Sequence, residues 1–174
     1  RIYNKIKIVL PKELRKQYNK FAKDFLLTIK GVNHIALNKA SLNMKLRQFT
    51  QGFVYYDDPV EVLKNGKPVR HTTDVHTLKL DTLKSIVEEV DQPILCAIQF
   101  KHDLTLIKSI YPNVPIIAGG TSRNLGTQYI REWNKGNLPL LLCHPASLSH
   151  GVNLQTGGNN ILWYAQTWSV EQYL

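Results

Sequence analysis

Residues 138–164 read LPLLLCHPASLSHGVNLQTGGNNILWY and contain two short apolar runs that flank a polar loop. The runs LPLLLCH (138–144) and NNILWY (159–164) do not alternate apolar with polar residues, which is typical of strands buried on both faces. Two similar runs come earlier, ILCAIQF at 94–100 and VPIIAGG at 114–120. Because helix-like segments or loops separate the four runs, we predict an α/β fold with a parallel sheet covered by helices on both faces.

The segments around these runs have helical periodicity. TLKLDTLKSIVEEVD precedes the first run, FKHDLTLIKSIYP follows it, and TSRNLGTQYIREWNKG follows the second, with Thr121 or Ser122 as its N-cap. TWSVEQYL, after the last run, predicts the start of another helix, with Ser169 and Gln172 in capping-box positions. The first of these helices is expected to turn five apolar residues inward, namely Leu80, Leu83, Ile86, Val87 and Val90.

The N-terminal part follows a different pattern. Helical spacing of apolar residues predicts a basic amphipathic helix between Pro11 and Gly31, and a second helix from about Asn38 to Phe49, closed near Gly52. The first helix has basic residues largely off its apolar stripe, namely Lys12, Arg15, Lys16, Lys20 and Lys23. The second is expected to expose Lys45 and Arg47. In residues 53–77, an Asn65-Gly66 pair between two extended runs predicts a β-hairpin.

The charge of the chain is concentrated near its N-terminus. The whole chain has a net charge of +9, whereas residues 1–47 alone hold 12 Lys/Arg and 2 Asp/Glu, a net charge of +10. Such a field favours a polyanionic partner, most simply nucleic acid. The alternative is a solvated helix face whose acidic counterpart lies elsewhere in a longer protein.

Composition excludes several other classes of protein. At 174 residues we expect one domain, with an appendage at most, and no apolar run is long enough to span a membrane. Cys96 and Cys143 lie in apolar runs and are expected to be reduced and buried in a cytoplasmic protein, and scattered histidines predict no metal site. Without an initiator Met or a signal sequence, and with an end in mid-element, the chain reads as a piece of a longer protein.

Ligands of parallel sheets bind beyond the carboxyl ends of the strands, which directs attention to three loops. These loops are Gln99–His102, Gly119–Arg123 and His144–Gly158. In the second, paired glycines followed by hydroxyls and a helix N-terminus predict a phosphate cradle, and the alternative is a tight turn with a hydroxyl cap. The GxxxxGK[ST] pattern, paired carboxylates such as DExH and the GxGxxG fingerprint are all absent, so any nucleotide chemistry needs another domain.

The ordered set of motifs resembles the second RecA-like lobe of a superfamily-two helicase, of the Swi/Snf type found in phages and bacteria. The strongest matches are HGVNLQ (150–155) and WSVEQY (168–173), supported by the GGTS loop at 119–122. Ser149 stands where the family usually has a glycine before the histidine. The resemblance implies three regions: residues 1–52 as a basic helical segment that links two motor lobes, 53–77 as a β-hairpin insertion and 78–174 as the second lobe, truncated before motif VI.

The family also implies roles for particular residues. It implies contacts with the backbone of double-stranded DNA from loop residues of the lobe, namely Lys101, His102, Gly120, Thr121, Ser122, Arg123, Ser147 and His150. It implies that motif V faces ATP through Gly151, Val152 and Asn153, although Gly151 and Asn153 are equally well explained as structural residues. Trp133, Trp163 and Trp168 are either core residues or platforms on which bases stack.

The resemblance implies an ATP-dependent DNA helicase or translocase in which ATP and Mg²⁺ are held mainly by a first lobe of the same polypeptide. No catalytic residue is then expected in these 174 residues, and the isolated chain is expected to be inactive. Two alternatives remain at this point: a non-catalytic nucleic-acid-binding module, and a small-molecule transferase on a doubly wound fold.

Overall fold

The computed structural model describes residues 2–56, 61–62, 68–148 and 152–169, with the side chains of 61, 62, 68 and 69 left aside. The chain divides into two compact units, Arg1–Lys79 (unit 1) and Leu80–Leu174 (unit 2). Each unit has its own hydrophobic core.

Residues 2–11 of unit 1 have no regular secondary structure, and the rest of the unit combines helices with short antiparallel strand pairs. Its elements are α1 (Lys12–Asp24), β1 (Leu26–Ile29), β2 (Val32–Ile35), α2 (Lys39–Gln51), β3 (Phe53–Tyr55), β4 (Glu61–Val62), β5 (Pro68–Val69) and β6 (Thr72–Asp74). β1 pairs with β2, β3 with β6 and β4 with β5. The β4–β5 pair confirms the predicted strands of the hairpin, and the Asn65-Gly66 turn lies outside the described residues.

The first helix is shorter than predicted, because it gives way to a hairpin. Phe25 closes α1 in the left-handed conformation (φ 59°), and Leu27 and Ile29 are strand residues of the core, not helical ones. Lys30 (φ 49°) and Gly31 (φ 79°) form the two-residue turn between β1 and β2, with positive φ at both positions as this hairpin type requires. Gly31 is therefore a turn residue, and the prediction that it ends a helix is wrong.

The second helix is confirmed at both ends. Asn38 caps α2 through its side chain, which accepts the Ser41 N–H, and Gly52 ends it at φ 108°. The predicted exposure of Lys45 and Arg47 is wrong: Lys45 is only 8% exposed and Arg47 is half-buried. The Lys45 ammonium can be buried because it donates to the Tyr55 carbonyl oxygen at 3.3 Å.

Unit 1 buries several polar side chains along β3 and β6. The Tyr55 carbonyl oxygen also accepts from Nδ1 of the fully buried His34 at 3.3 Å, while His34 Nε2 lies 3.1 Å from Thr73 Oγ1. The Gln48 side-chain oxygen accepts the Tyr55 N–H at 3.1 Å. These bonds satisfy groups that would otherwise be costly to bury, so α2, β2 and β3 are held together by a polar network as well as by apolar contacts.

Unit 2 is built on a four-stranded parallel sheet. Its elements are α3 (Leu78–Glu89, which begins at the junction of the units), β7 (Ile94–Ala97), α4 (Lys101–Ile110), β8 (Ile116–Ile117), α5 (Arg123–Asn134), β9 (Leu140–Cys143), a 3₁₀ turn (Pro145–Ser147) and β10 (Asn160–Trp163). The strand order is β10-β7-β9-β8, and every neighbouring pair is parallel. All four apolar runs are therefore strands, as predicted.

Helices cover both faces of this sheet, as predicted for the α/β class. On one face, Cys96 and Leu142 pack with Leu83 of α3 and Ile107 of α4. On the other, Leu141 packs with Trp133 of α5. The inward face of α3 is confirmed except at Val90, which is 36% exposed because the helix ends at Glu89.

Both cysteines are buried and unbonded to each other, Cys96 in β7 and Cys143 in β9. Burial raises the pKa of the Cys143 thiol to about 12, so this side chain is neutral at physiological pH. Among the described residues, no helix has the length and apolar character that a membrane crossing needs.

Candidate nucleic-acid interface

Parallel pairing brings the loops after β7, β8 and β9 to one edge of the sheet. β9 pairs with β7 on one side and with β8 on the other, so the loop after β9 lies between the other two. Two backbone bonds extend the pairing past the strands, from the Ile98 N–H to the Cys143 carbonyl and from the His144 N–H to the Ile117 carbonyl, at 2.9 and 3.0 Å. We call this the carboxyl edge.

The structure collects most of the predicted contact residues at the carboxyl edge. Lys101 and His102 begin α4 after β7, residues 120–123 lie between β8 and α5, and Ser147 ends the 3₁₀ turn after β9. Lys101 and Arg123 are exposed, while His102 and Ser147 are half-buried. His150, Gly151 and Ser149 lie outside the described residues, so their roles stay predictions.

Asp103, which was not among the predicted site residues, organises the turn after β7. Its carboxylate is fully buried and accepts the N–H groups of Phe100 at 2.8 Å and Gln99 at 3.2 Å. A negative charge in the first turn of a helix is also favoured by the helix dipole. Because these two N–H groups are already bonded, they are not offered to a phosphate, and the exposed Lys101 side chain is the cationic group of this loop. The available signal was an acidic residue three positions after Phe100, the N-cap of α4.

The loop after β8 is braced by Thr121. Its hydroxyl donates to the Ile116 carbonyl oxygen at 2.9 Å and accepts the Ala118 N–H at 3.0 Å. The predicted N-cap is Ser122 and not Thr121, since the Ser122 oxygen accepts the Leu125 N–H at 3.4 Å. The Thr121 hydroxyl is thus committed to the loop itself, whereas Ser122 and Arg123 are exposed.

Gly119 and Gly120 are exposed, and nothing in the described part of the chain requires them to be glycine. A Cβ atom at either position would meet no heavy atom within 4 Å, and neither has a positive φ. The two glycines therefore leave open space beside Ser122 and Arg123, which is the feature that allows a close approach of a ligand to the backbone.

Asn153 lies away from the carboxyl edge. Its carbonyl oxygen accepts from the side chain of Asn134, the last residue of α5, at 3.0 Å. Because α5 joins the carboxyl end of β8 to the amino end of the parallel strand β9, Asn134 lies at the opposite edge of the sheet. The side-chain oxygen of Asn153 accepts the Gln155 N–H at 3.1 Å, which agrees with the prediction that Asn153 braces the backbone of this loop. Val152, its neighbour, is half-buried.

The segment that returns to β10 is fixed on Trp133. The indole N–H donates to the Leu154 carbonyl oxygen at 2.9 Å, and the ring is 1% exposed. A Cβ atom at Gly157 would overlap the Trp133 backbone, and one at Gly158 would lie 3.2 Å from its ring. Trp133 is therefore a core residue, Trp163 is half-buried and Trp168 is 67% exposed.

One more buried group, near the carboxyl end of β10, was also not predicted. Tyr164 follows β10 and is 4% exposed, and burial, together with the charge of Asp103, raises the pKa of its phenol far above the ordinary value of 10.0. Tyr164 is therefore neutral, and it closes this end of the core beside the buried carboxylate. The described residues contain no group of three His, Cys, Asp or Glu side chains able to hold a metal ion.

The two units differ sharply in charge. Unit 1 holds 16 Lys/Arg and 6 Asp/Glu, a net charge of +10, whereas unit 2 holds 6 and 7, a net charge of −1. Contacts at the carboxyl edge would therefore depend on a few placed groups, such as Lys101 and Arg123, and not on a general positive field of unit 2.

No protein-family model matches the chain. The chain is 34% identical over 173 residues to putative protein p41 of Acyrthosiphon pisum secondary endosymbiont phage 1. That alignment covers 99% of this chain and 34% of the phage protein, so the chain spans about a third of that relative's length. Among solved structures, the C-terminal part of the Fun30 ATPase domain is similar at 17% identity and a TM-score of 0.48, over 55% of this chain and 34% of that one. Neither similarity fixes the activity of this chain.

Proposed function

We propose that the chain is the second motor lobe of an ATP-dependent DNA helicase or translocase of the Swi/Snf type. The observation that carries the proposal is the carboxyl edge, where one parallel sheet presents Lys101, His102, residues 120–123 and Ser147 together. The order of motifs along the sequence supports the same family. In this proposal the lobe is RecA-like, His150 joins these residues, and all of them except Thr121 contact the phosphates of double-stranded DNA.

Contacts of this kind suit a protein that moves along any sequence. Lysine, arginine and hydroxyl groups that bind phosphate fix position on the duplex without reading bases. Gly119 and Gly120 supply the open space for a close approach, while Thr121 and Asp103 keep the two loops in place from within. Thr121 therefore supports the interface through its neighbours Ser122 and Arg123, and is not itself a phosphate donor through its hydroxyl.

No three His, Cys, Asp or Glu side chains come together as a metal site among the described residues. As the family resemblance implies, the proposal places ATP and Mg²⁺ mainly on a first lobe of the same polypeptide, on which the second lobe closes. Gly151, Val152 and Asn153 are proposed to act from the motif V segment. For Asn153 the contribution is the bracing of the backbone at Gln155, because its side-chain oxygen is bonded there.

A non-catalytic nucleic-acid-binding module is the second candidate. The observation that favours it is the net charge of +10 in unit 1, which attracts polyanions whether or not unit 2 belongs to a motor. The two candidates differ in one measurable property, since only the motor couples nucleic acid to ATP turnover.

The test uses the full-length gene product that contains this chain. We expect duplex DNA to stimulate its ATP hydrolysis, and replacement of Lys101 and Arg123 by alanine to raise the DNA concentration for half-maximal stimulation by roughly tenfold. The matched control replaces Lys108 and Arg131, which are exposed on α4 and α5 and lie outside the proposed interface, and should change that concentration less than about threefold. A rate of ATP hydrolysis that does not change when DNA is added would reject the motor proposal. DNA binding without ATP hydrolysis would favour the binding module.

A further inference from the structure

The strongest unexplained surface of the molecule is the outer face of α1 in unit 1. Residues of a helix are about 100° apart around its axis, so four lysines of α1 fall within about 80° of one another. These four, which we call the lysine stripe, are Lys12, Lys16, Lys20 and Lys23. Leu14, Tyr18 and Phe21 lie on the opposite side and pack in the core, so the stripe points away from the core of unit 1.

Few acidic side chains among the described residues neutralise the charge of the lysine stripe. All four lysines are exposed, and within the described part of the chain Lys16 is the only one of the four in an ion pair, with Glu13 at 3.2 Å. That pair is an exposed one, of the kind that contributes little to stability. Lys12 and Lys16, and Lys16 and Lys20, are four residues apart, a spacing at which like charges destabilise a helix. The stripe thus weakens α1 as an isolated element.

A polyanion would turn this unfavourable arrangement into a binding surface. The stripe runs about 16 Å along the helix axis, and the same length of duplex DNA carries about ten phosphate charges. Lysine ammonium groups on flexible stems suit phosphates at irregular spacing, because each can adjust independently. The stripe also accounts for part of the charge difference between the units, since unit 1 carries +10 and unit 2 carries −1.

We infer that the lysine stripe of α1 is a nucleic-acid anchor, separate from the carboxyl edge, that binds the phosphate backbone of a duplex without regard to sequence. The inference takes its class of partner from the proposed function, but it rests on a different unit and different residues. An anchor on unit 1 would supply most of the electrostatic affinity, while the carboxyl edge of unit 2 supplies the contacts that the motor uses.

The test compares two variants of the 174-residue chain that lose the same charge. The stripe variant replaces four lysines by glutamine: Lys12→Gln, Lys16→Gln, Lys20→Gln and Lys23→Gln. The matched control removes four exposed positive charges of unit 2: Lys84→Gln, Lys108→Gln, Arg131→Gln and Lys135→Gln. Glutamine has a helix propensity close to that of lysine, so both variants should keep their helices, as checked by circular dichroism.

Binding to 25-base-pair duplexes of two unrelated sequences is measured by fluorescence anisotropy between 50 and 200 mM NaCl. For the stripe variant we expect affinity at 50 mM to fall at least about tenfold for both sequences, and the slope of log K against log salt to become shallower by about three. For the control we expect a change of less than about threefold. Equal losses in the two variants, or a slope change of one or less in the stripe variant, would overturn the inference.

A further arm separates nucleic acid from other anionic surfaces. Vesicles containing phosphatidylserine are used as the probe, and binding that is tighter to vesicles than to duplex and depends on the stripe would overturn the nucleic-acid assignment. The outcome is also distinguishable from that of the motor proposal. If the full-length protein shows no DNA-stimulated ATP turnover but the stripe variant loses affinity, the anchor is supported and the motor proposal is rejected. If turnover is stimulated by DNA but the stripe variant keeps its affinity, only the anchor is rejected.

Discussion

The two units of this chain solve the problem of burying polar groups in different ways. Unit 1 buries Lys45, Gln48 and His34 in a network around the Tyr55 backbone, whereas Asp103, in the first turn of α4, is the one buried charged residue among the described residues of unit 2. Unit 1 is strongly basic, and unit 2 is nearly neutral. Under the proposed function, this difference would be a division of labour, in which unit 1 attracts the polyanion and unit 2 holds the contact loops in place.

The comparison predicts that core damage in one unit stays in that unit. Trp133→Ala removes the largest buried side chain of unit 2 and the bond to Leu154, and we expect it to lower the free energy of unfolding of unit 2 by about 3–5 kcal/mol. Hydrogen exchange measured by mass spectrometry resolves the two units. Trp168→Ala, at a site 67% exposed, is the control and should cost less than about 1 kcal/mol. Equal loss of protection in unit 1 would contradict two separate cores.

Gly52→Ala is the corresponding change in unit 1. Gly52 has φ 108°, which an alanine adopts only with strain, and a Cβ there would overlap the His76 backbone carbonyl. We expect a loss of about 2–4 kcal/mol, confined to unit 1. The control is Gly119→Ala, where a Cβ meets nothing within 4 Å and stability should change by less than about 0.5 kcal/mol. A Gly52→Ala protein as stable as the parent would show that the end of α2 adapts easily.

Substitutions in the loop after β8 are expected to lower the stability of unit 2 by a smaller amount. Thr121→Val keeps the shape of the side chain but removes the hydroxyl that bonds Ile116 and Ala118, and we expect it to cost about 1–2 kcal/mol. Ser122→Ala, which removes the N-cap of α5, should cost about 1 kcal/mol or less, since its bond to Leu125 is long at 3.4 Å. Urea unfolding measures both. A larger loss for Ser122→Ala would mean that the cap, and not the Thr121 brace, holds this loop.

The sequence was most informative for unit 2, because its signals are local and mutually consistent. Four continuous apolar runs separated by helical segments define a parallel sheet, and that topology alone brings Lys101, residues 120–123 and Ser147 to one edge. The role of Asp103 escaped prediction because a single acidic residue near a helix start resembles any exposed charge until its burial is known.

Unit 1 was harder to predict, because its decisive interactions are not local. The run Leu26–Ile29 fits a helical stripe that continues from α1, yet the Lys30-Gly31 turn and pairing with Val32–Ile35 make it a strand. The burial of Lys45 likewise depends on the Tyr55 carbonyl, ten residues further along the chain. Hydrophobic periodicity carries no information about such a partner, so a lysine on a helix was predicted to be exposed.

The smallest expected difference between the units is in how their stability responds to alkaline pH, because both cysteines lie in unit 2. The pKa of the Cys143 thiol is raised from 9.0 to about 12 in the folded chain, so the unfolded chain loses this proton first as pH rises. The stability that the neutral thiol contributes is therefore complete below pH 9 and declines between pH 9 and 12, by roughly 1 kcal/mol at pH 10. Urea unfolding of unit 2 at pH 8 and pH 10 should show this decline, and Cys143→Ala should reduce it. Identical pH dependence in the parent and the variant would mean that Cys143 is accessible to solvent in the folded chain.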